Sequence, residues 1–337
     1  MATYYVDGAV GNDVNAGTSP GGGNAWATLG KAASTMAIGD LCYVKASATY
    51  SIGAAVTFAT GAGSVLYGSA TRLIGYTTTP GDNGRALIQA SAGSFGMIHA
   101  TGSGWTFENF IIDGNSQTSI TGALLTGSYH NVLRNCKVLN CTNSGVKLAG
   151  TINSIIGCEV TACSGASGAV YLGCAISAVV LGCYIHDNTT HGIFGDQTGS
   201  DVAFCIVESN SGGSSDGILI STWPVSINNC VFYGNGRHGL HVSGYWIVNK
   251  IFNNIFVSNS GYGLNAAVMS PAVTDPRVDY NAFYGNSSGA RNIILAGAHD
   301  VTLSGDPFTN AGAGDFTLNG TSGAGAACRG VGFPGVM

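Results

Sequence analysis

Two imidazoles and a carboxylate recur at one fixed place in this 337-residue chain. His191, Asp216 and His238 each stand immediately before a glycine, in HGIFG, DGILI and HGLHV, at separations of 25 and 22 residues. Ser144 in SGVKL and Tyr262 in YGLNA occupy the same place, while Lys147, Phe194, Leu219, His241 and Asn265 follow two residues beyond the glycine. His186, Glu208 and Tyr233 form a third set on the segments that come before. If the repeats stack, these residues gather into neighbouring columns. Asp216 and Glu208 could then act as general acid and base with His191 and His238 carrying protons. Arg237 could pair with an acidic sugar, Tyr233 and Tyr262 could stack on its ring, and His186 and His241 could complete the binding face. The alternative is an exposed turn column whose polar residues only keep the surface wet.

The elements that would hold such columns are visible in the middle of the chain. ENFIIDGN (108 to 115), NCKVLNC, GCEVTAC, GCYIHDN, FCIVESN, NCVFYGN, NNIFVSN and NAFYGN (281 to 286) share one register, with a first mark at Asn109, Cys136, Cys158, Cys183, Cys205, Cys230, Asn254 and Asn281. A second mark follows at Cys141, Cys163, Asn188, Asn210, Asn235, Asn259 and Asn286. Apolar residues alternate within each segment, which is strand periodicity. A polar turn then leads into glycine and a second short strand. A unit of about 24 residues with no helical stretch is one coil of a parallel β-solenoid, because a coil buries its apolar face only by stacking on its neighbours. Equivalent residues then repeat about every 4.8 Å, so the inward cysteines form one column and the asparagines another. Stacked amides offer donor and acceptor along the axis, which predicts an asparagine ladder.

Composition narrows the function classes. Only 9% of residues are charged, the net charge is -5, 45% are apolar, and 53 are glycine. A weakly acidic chain of this kind has no electrostatic footprint for nucleic acid or an anionic membrane surface. No stretch approaches the roughly 18 apolar residues of a membrane span, and the opening MATYYVDG enters a strand pattern at once, which predicts no secretory signal. Seven of the ten cysteines fall in the two inward columns, so mainly free thiols are expected, as suits assembly in a reducing compartment. No cysteine pair has zinc-finger spacing with matching histidines, so no metal site is expected. GNDVNAGTS offers Asp13, Asn15 and Thr18 as calcium oxygens but lacks the later acidic ligand, so a Gly/Asn turn is the expectation there. Lys137 and Glu159 fall one coil apart in an outward column and predict a surface ion pair.

Solenoid ends need covers. AWATLGKAASTMA (25 to 37) places Trp26, Leu29, Ala33 and Met36 at helical spacing, and predicts an amphipathic helix closing the N-terminal end. With YYVDGAVGNDVNAGTS before it, GDLCYVKASATYS after it and repeats such as NCVFYGNGRHGLHV, the chain resembles the right-handed parallel β-helix proteins of the pectate lyase-like superfamily over roughly residues 3 to 310. The resemblance implies an all-β fold: a cap at 1–40, a β-helix at 41–310, and a last coil and tail at 311–337. The superfamily includes polysaccharide lyases, glycoside hydrolases, phage tailspikes and noncatalytic virion proteins. Its lyases resemble one another in holding calcium with clustered acids beside a Lys or Arg base, and no such cluster stands beside a base here. Its hydrolases share short aspartate motifs that Asp187, Asp196, Asp201 and Asp216 do not form. The resemblance therefore leads to a structural or adhesion protein, a phage virion component with a glycan-binding face, without cofactor. Its expected partners are a polysaccharide or cell-surface glycan, other virion proteins and copies of itself. A secreted polysaccharide lyase or glycoside hydrolase acting on an acidic polysaccharide is the alternative.

Overall fold

Alternating burial along strands of two to seven residues builds three parallel sheets, one strand of each per coil. The computed structural model describes residues 1–59, 70–127, 129–174, 176–196, 199–221, 225–245, 250–268 and 277–332, and divides into two compact units, Met1–Tyr184 and Ile185–Met337.

In the first unit, one coil runs through strands Val132–Arg134, Lys137–Leu139 and Ser144–Gly150, and the next through Asn153–Ile156, Glu159–Thr161 and Val170–Cys174. Leu133 pairs with Ile155, Val138 with Val160 and Leu148 with Leu172, all parallel. These six side chains are almost wholly buried. Each contributes about 2 kcal/mol by leaving water, and only the neighbouring coil makes that burial possible. Outside, Lys137 Nζ lies 2.7 Å from Glu159 Oε1, the expected surface pair.

The N-terminal helix is shorter than its apolar spacing predicts. It spans Leu29–Thr35, with Thr28 as N-cap accepting the Lys31 N–H. Trp26 is held out of it because its N–H donates to Tyr5 O and its carbonyl accepts from Asp7 N–H, which commits that backbone to the sheet side. The apolar set is nonetheless buried: Trp26, Leu29, Ala33 and Met36 all lie in the core. Asp13 fixes the helix start by accepting from Ala27 N–H, Thr28 N–H and the Thr28 hydroxyl. Asn15 donates to Gly22 O and Ala25 O, and Thr18 Oγ1 accepts from Asn24. The GNDVNAGTS loop is therefore tied together by its own polar groups.

In the second unit the second mark becomes a continuous amide ladder. Asn188, Asn210, Asn235 and Asn259 each donate from Nδ2 to Oδ1 of the next, ending on Asn286, at 2.8, 3.0, 3.0 and 2.8 Å across steps of 22, 25, 24 and 27 residues. The second Nδ2 proton goes to a carbonyl of the coil below, as from Asn235 to Val207 O at 3.0 Å. A parallel ladder at the first mark joins Asn254 to Asn281, whose backbone N–H donates to Asp300, itself paired with Arg291. Beside the ladders Phe232, Phe256 and Phe283 stack at 4.9 and 5.2 Å, and Arg291 covers the last ring at 4.3 Å.

Cys136, Cys158 and Cys183 line the first unit, Cys205 and Cys230 the second, all nearly inaccessible; all ten cysteines are free. Cys328 alone is half-exposed. In the native protein a thiol reagent should therefore modify Cys328 first and the other nine only after denaturation. Titration of the unreduced, denatured chain should find close to all ten; a count near zero would show disulfides instead.

Candidate functional site

A column of glycines places the second unit's polar side chains. The N–H of Gly192 donates to Asp216 O, that of Gly217 to His238 O, and that of Gly239 to Tyr262 O. A Cβ at Gly192, Gly217 or Gly239 would stand 2.7, 2.5 and 2.7 Å from a carbonyl oxygen of the next coil, so only glycine lets the turns approach this closely. The residue before each glycine is thereby stacked on its neighbour, bringing His191, Asp216, His238 and Tyr262 together. The strands that follow, Ile193–Gly195, Ile218–Ile220, Leu240–Tyr245 and Tyr262–Val268, place Phe194, Leu219, His241 and Asn265 in one outward row.

Asp216 is the centre, and it is fully buried. Arg237 clamps it from the next coil: Nε donates to Oδ1 at 2.8 Å and Nη2 to Oδ2. The His238 N–H donates to Oδ1 at 3.1 Å. His241 Nδ1 lies 3.2 Å from Oδ2 and 2.9 Å from Arg237 Nη2, and His191 Nδ1 lies 3.6 Å from Oδ2. Burial pushes the Asp216 carboxyl up, but the hydrogen bonds from Arg237 and His241 and the guanidinium charge outweigh it, so the group is held below the usual carboxylate range. It is an ionised structural anion, with both oxygens occupied.

Two of the imidazoles are locked by backbone. His191 Nδ1 accepts the Asp216 N–H at 3.0 Å, and His238 Nδ1 accepts the Tyr262 N–H at 2.9 Å. These hydrogen bonds assign the proton of each neutral ring to Nε2, making both rings donors. Burial lowers the pKa of His191, and lowers that of His238 to about 4 against the pull of Asp216. The His238 and Tyr262 rings stack at 5.7 Å.

A pH dependence follows from His238. Its folded pKa of about 4 lies below the ordinary imidazole value of 6.5, so between those values the unfolded chain binds more protons and stability rises with pH. Denaturant melts should show stability falling from about pH 6.5 toward about pH 4, with His238→Gln flattening the slope. An unchanged slope in the variant would assign the dependence to other groups.

Asp216, His238 and His241 each bring one ligand atom into a group spanning 4.8 Å. The donor set does not fit a cation: the guanidinium already neutralises the one carboxylate, and the His238 Nδ1 lone pair is taken by a backbone N–H.

The residues expected beside Asp216 on the preceding segments stand on a different sheet. His186, Glu208 and Tyr233 belong to the second sheet, and the turn between Glu208 and Asp216 carries the chain from one sheet to the next. His186 Nδ1 pairs with Asp187 at 2.8 Å. Glu208, almost buried, accepts from Ser209 Oγ at 2.5 Å and is in register with Tyr233. Tyr233 is not an open platform. The C-terminal hairpin Phe308–Asn310 with Asp315–Leu318 folds over it, with Phe316 at 5.6 Å and Phe308 at 6.1 Å, and Asp306 Oδ2 3.5 Å from its hydroxyl. Phe308, Ala311, Phe316 and Leu318 pack there against Val231, Ile255, Val257 and Tyr284, so this part of the tail covers the second sheet; residues 333–337 lie outside the described residues. The apolar alternation of Phe308, Phe316 and Leu318 was the sequence signal for that cover. Sequence reasoning also missed the turn ladder of Asn131 and Asn153, whose spacing falls outside the two marks.

The family model described as right handed beta helix region matches residues 96–267. A pectate lyase, Pel9A, is similar in structure with a TM-score of 0.66 at 17% identity, over 96% of this chain and 90% of that one. A rhamnogalacturonan lyase gives 0.50 at 14% identity over 92% and 91%. ORF18 of Geobacillus virus E2 gives 0.47 at 10% over 89% and 61%. No curated protein sequence matches the chain. At these identities the likeness is one of fold. With three parallel sheets that each take one strand per coil, an amide ladder and a family match over half its length, the chain belongs to the right-handed β-helix family.

Proposed function

We propose that this chain is a noncatalytic structural or adhesion β-helix protein that binds an acidic glycan through Arg237, His191, His238 and Tyr262. The carrying observation is that Asp216 is fully buried with both oxygens held by Arg237. Glycoside hydrolysis needs one carboxyl to give a proton and a second as base or nucleophile. Asp216 is committed to its ion pair, and Glu208 stands on another sheet. Proton abstraction needs a free lone pair, and those of His191 and His238 at Nδ1 are occupied. What the cluster offers is a half-exposed guanidinium, imidazole Nε2–H donors and an aromatic ring, a set suited to a carboxylated sugar.

The setting we propose is a virion subunit assembled in a host cytoplasm, self-associating and joined to other virion proteins. Ten free thiols, nine of them buried, support assembly under reducing conditions. Electron microscopy of particles labelled through this chain tests it directly.

Binding is tested by calorimetry with acidic and neutral polysaccharides, and catalysis by the release of reducing or unsaturated ends. The expected result is binding of an acidic polymer, loss of that binding in Arg237→Ala, and no new ends. His241 carries the alternative, since an Nδ1–H donated to Asp216 at 3.2 Å would leave Nε2 as a base. New ends that vanish in His241→Ala would replace this reading with a polysaccharide lyase or hydrolase.

A further inference from the structure

The outward row of the third sheet in the second unit changes character along its length. Phe194 and Leu219 begin it, and His241, Asn265 and Asn292 continue it in register. His241 and Asn265 are polar, yet only 9% and 7% exposed. One end of each side chain is committed. Asn265 Oδ1 accepts from Asn292 Nδ2 at 2.8 Å, and His241 Nδ1 faces Asp216 Oδ2 at 3.2 Å. Among the described residues the other ends, Asn265 Nδ2 and His241 Nε2, have no hydrogen-bond partner, and neither is sealed from solvent. Polar atoms of side chains this deep are ordinarily satisfied within the fold. Here two of them, on backbones one strand spacing or about 4.8 Å apart, are left for water or a ligand.

The two atoms differ in kind. The amide nitrogen is a donor. The ionised Asp216 carboxylate holds the proton of the neutral imidazole on Nδ1, so Nε2 presents a lone pair. A donor beside an acceptor is complementary to a hydroxyl, which accepts through its oxygen and donates its proton. A carboxylate only accepts and would face the lone pair unfavourably. Arg237 stands beside the same ring, its Nη2 2.9 Å from Nδ1. A carboxylate on the guanidinium and a hydroxyl on Nε2 would thus be separated by little more than the width of one imidazole, a span found within a single sugar residue.

We propose that His241 and Asn265 form a hydroxyl-reading subsite that selects uronic acid residues over other carboxylates. One ring hydroxyl donates to His241 Nε2 and accepts from Asn265 Nδ2 while the carboxylate of the same residue pairs with Arg237. The subsite rests on the reading of the chain as an acidic-glycan binder, and it adds the residues that determine which acid is accepted.

The test is calorimetry of the full chain with an oligogalacturonate and with an oligoacrylate of matched charge, which carries carboxylates and no hydroxyl. The wild type should bind the oligogalacturonate more tightly. His241→Asn keeps an amide able to donate to Asp216 and lacks Nε2; Asn265→Ala lacks Nδ2 and leaves the Asp216 network untouched. Each should weaken the oligogalacturonate about tenfold, the scale of one hydrogen bond, and leave the oligoacrylate unchanged. Melting curves matching the wild type's establish that the variants are folded, and Asn265→Ala carries the test alone if His241→Asn is not. Equal weakening of both polymers would show residues that only support the site, and unchanged affinity for both would show residues that touch no ligand. Either result would overturn the subsite, while loss of binding in Arg237→Ala would still uphold the first reading. Reducing or unsaturated ends that vanish in His241→Asn would make Nε2 a base and overturn both. A wild-type protein that binds neither polymer would do the same.

Discussion

Arg237→Ala should destabilise the second unit by about 3 kcal/mol, because it leaves a fully buried carboxylate without its charge partner. The loss is electrostatic, so its pH dependence should identify it. In the wild type the Asp216 pKa lies below the ordinary carboxyl value of 3.8, and the pair's contribution is present above the unfolded pKa and lost as pH falls through the folded one. Without the guanidinium, burial is opposed by fewer donors and the carboxyl pKa rises. The variant should then gain stability as the medium is acidified through that raised value, a slope of opposite sign to the wild type's. Adding Asp216→Asn removes the orphaned charge and should recover a large part of the loss, and a double-mutant cycle would give the coupling. Equal stability of Arg237→Ala and wild type at neutral pH would mean that other donors or water satisfy Asp216.

Asn235→Ala should cost about as much, roughly 3 kcal/mol, for a different reason. Asn235 Oδ1 accepts from both Asn210 Nδ2 and Asn210 N–H, and its Nδ2 donates to Asn259 Oδ1 and Val207 O. Alanine strands several buried groups at once, and each unsatisfied one costs about 1–3 kcal/mol before relaxation. Asn286→Ala, at the half-exposed end of the same ladder, should cost less, since water can reach its partners. Urea melts of the two variants would measure the difference. Equal losses at both positions would show that the ladder acts as a single cooperative unit and not as a series of separately satisfied amides.

The sequence by itself determined the solenoid. The register of cysteine and asparagine marks, the strand alternation between them and the glycine after each turn are local and periodic, and stacking turns local periodicity into columns without further information. The ladder of Asn188 to Asn286, the buried column thiols and the Lys137–Glu159 pair all follow from that rule; the buried apolar set of the N-terminal cap came from helical spacing instead, and only part of it lies in the helix. The candidate site followed it only in part. His191, Asp216, His238 and Tyr262 were legible as one column because each precedes a turn glycine. Only the tertiary structure decided that Asp216 is buried, since its exposure depends on the reach of Arg237 from the next coil, one residue out of the column's register. Only it decided the proton positions of His191 and His238, because those depend on which backbone N–H points at each ring. It also removed Glu208 and Tyr233 from the site: the turn assigns them to another sheet, and the hairpin that covers Tyr233 comes from a nonperiodic tail. A repeat specifies what each coil shares with its neighbour. Charge pairing between coils and contacts with a nonrepeating segment are long-range, and the period carries no information about them.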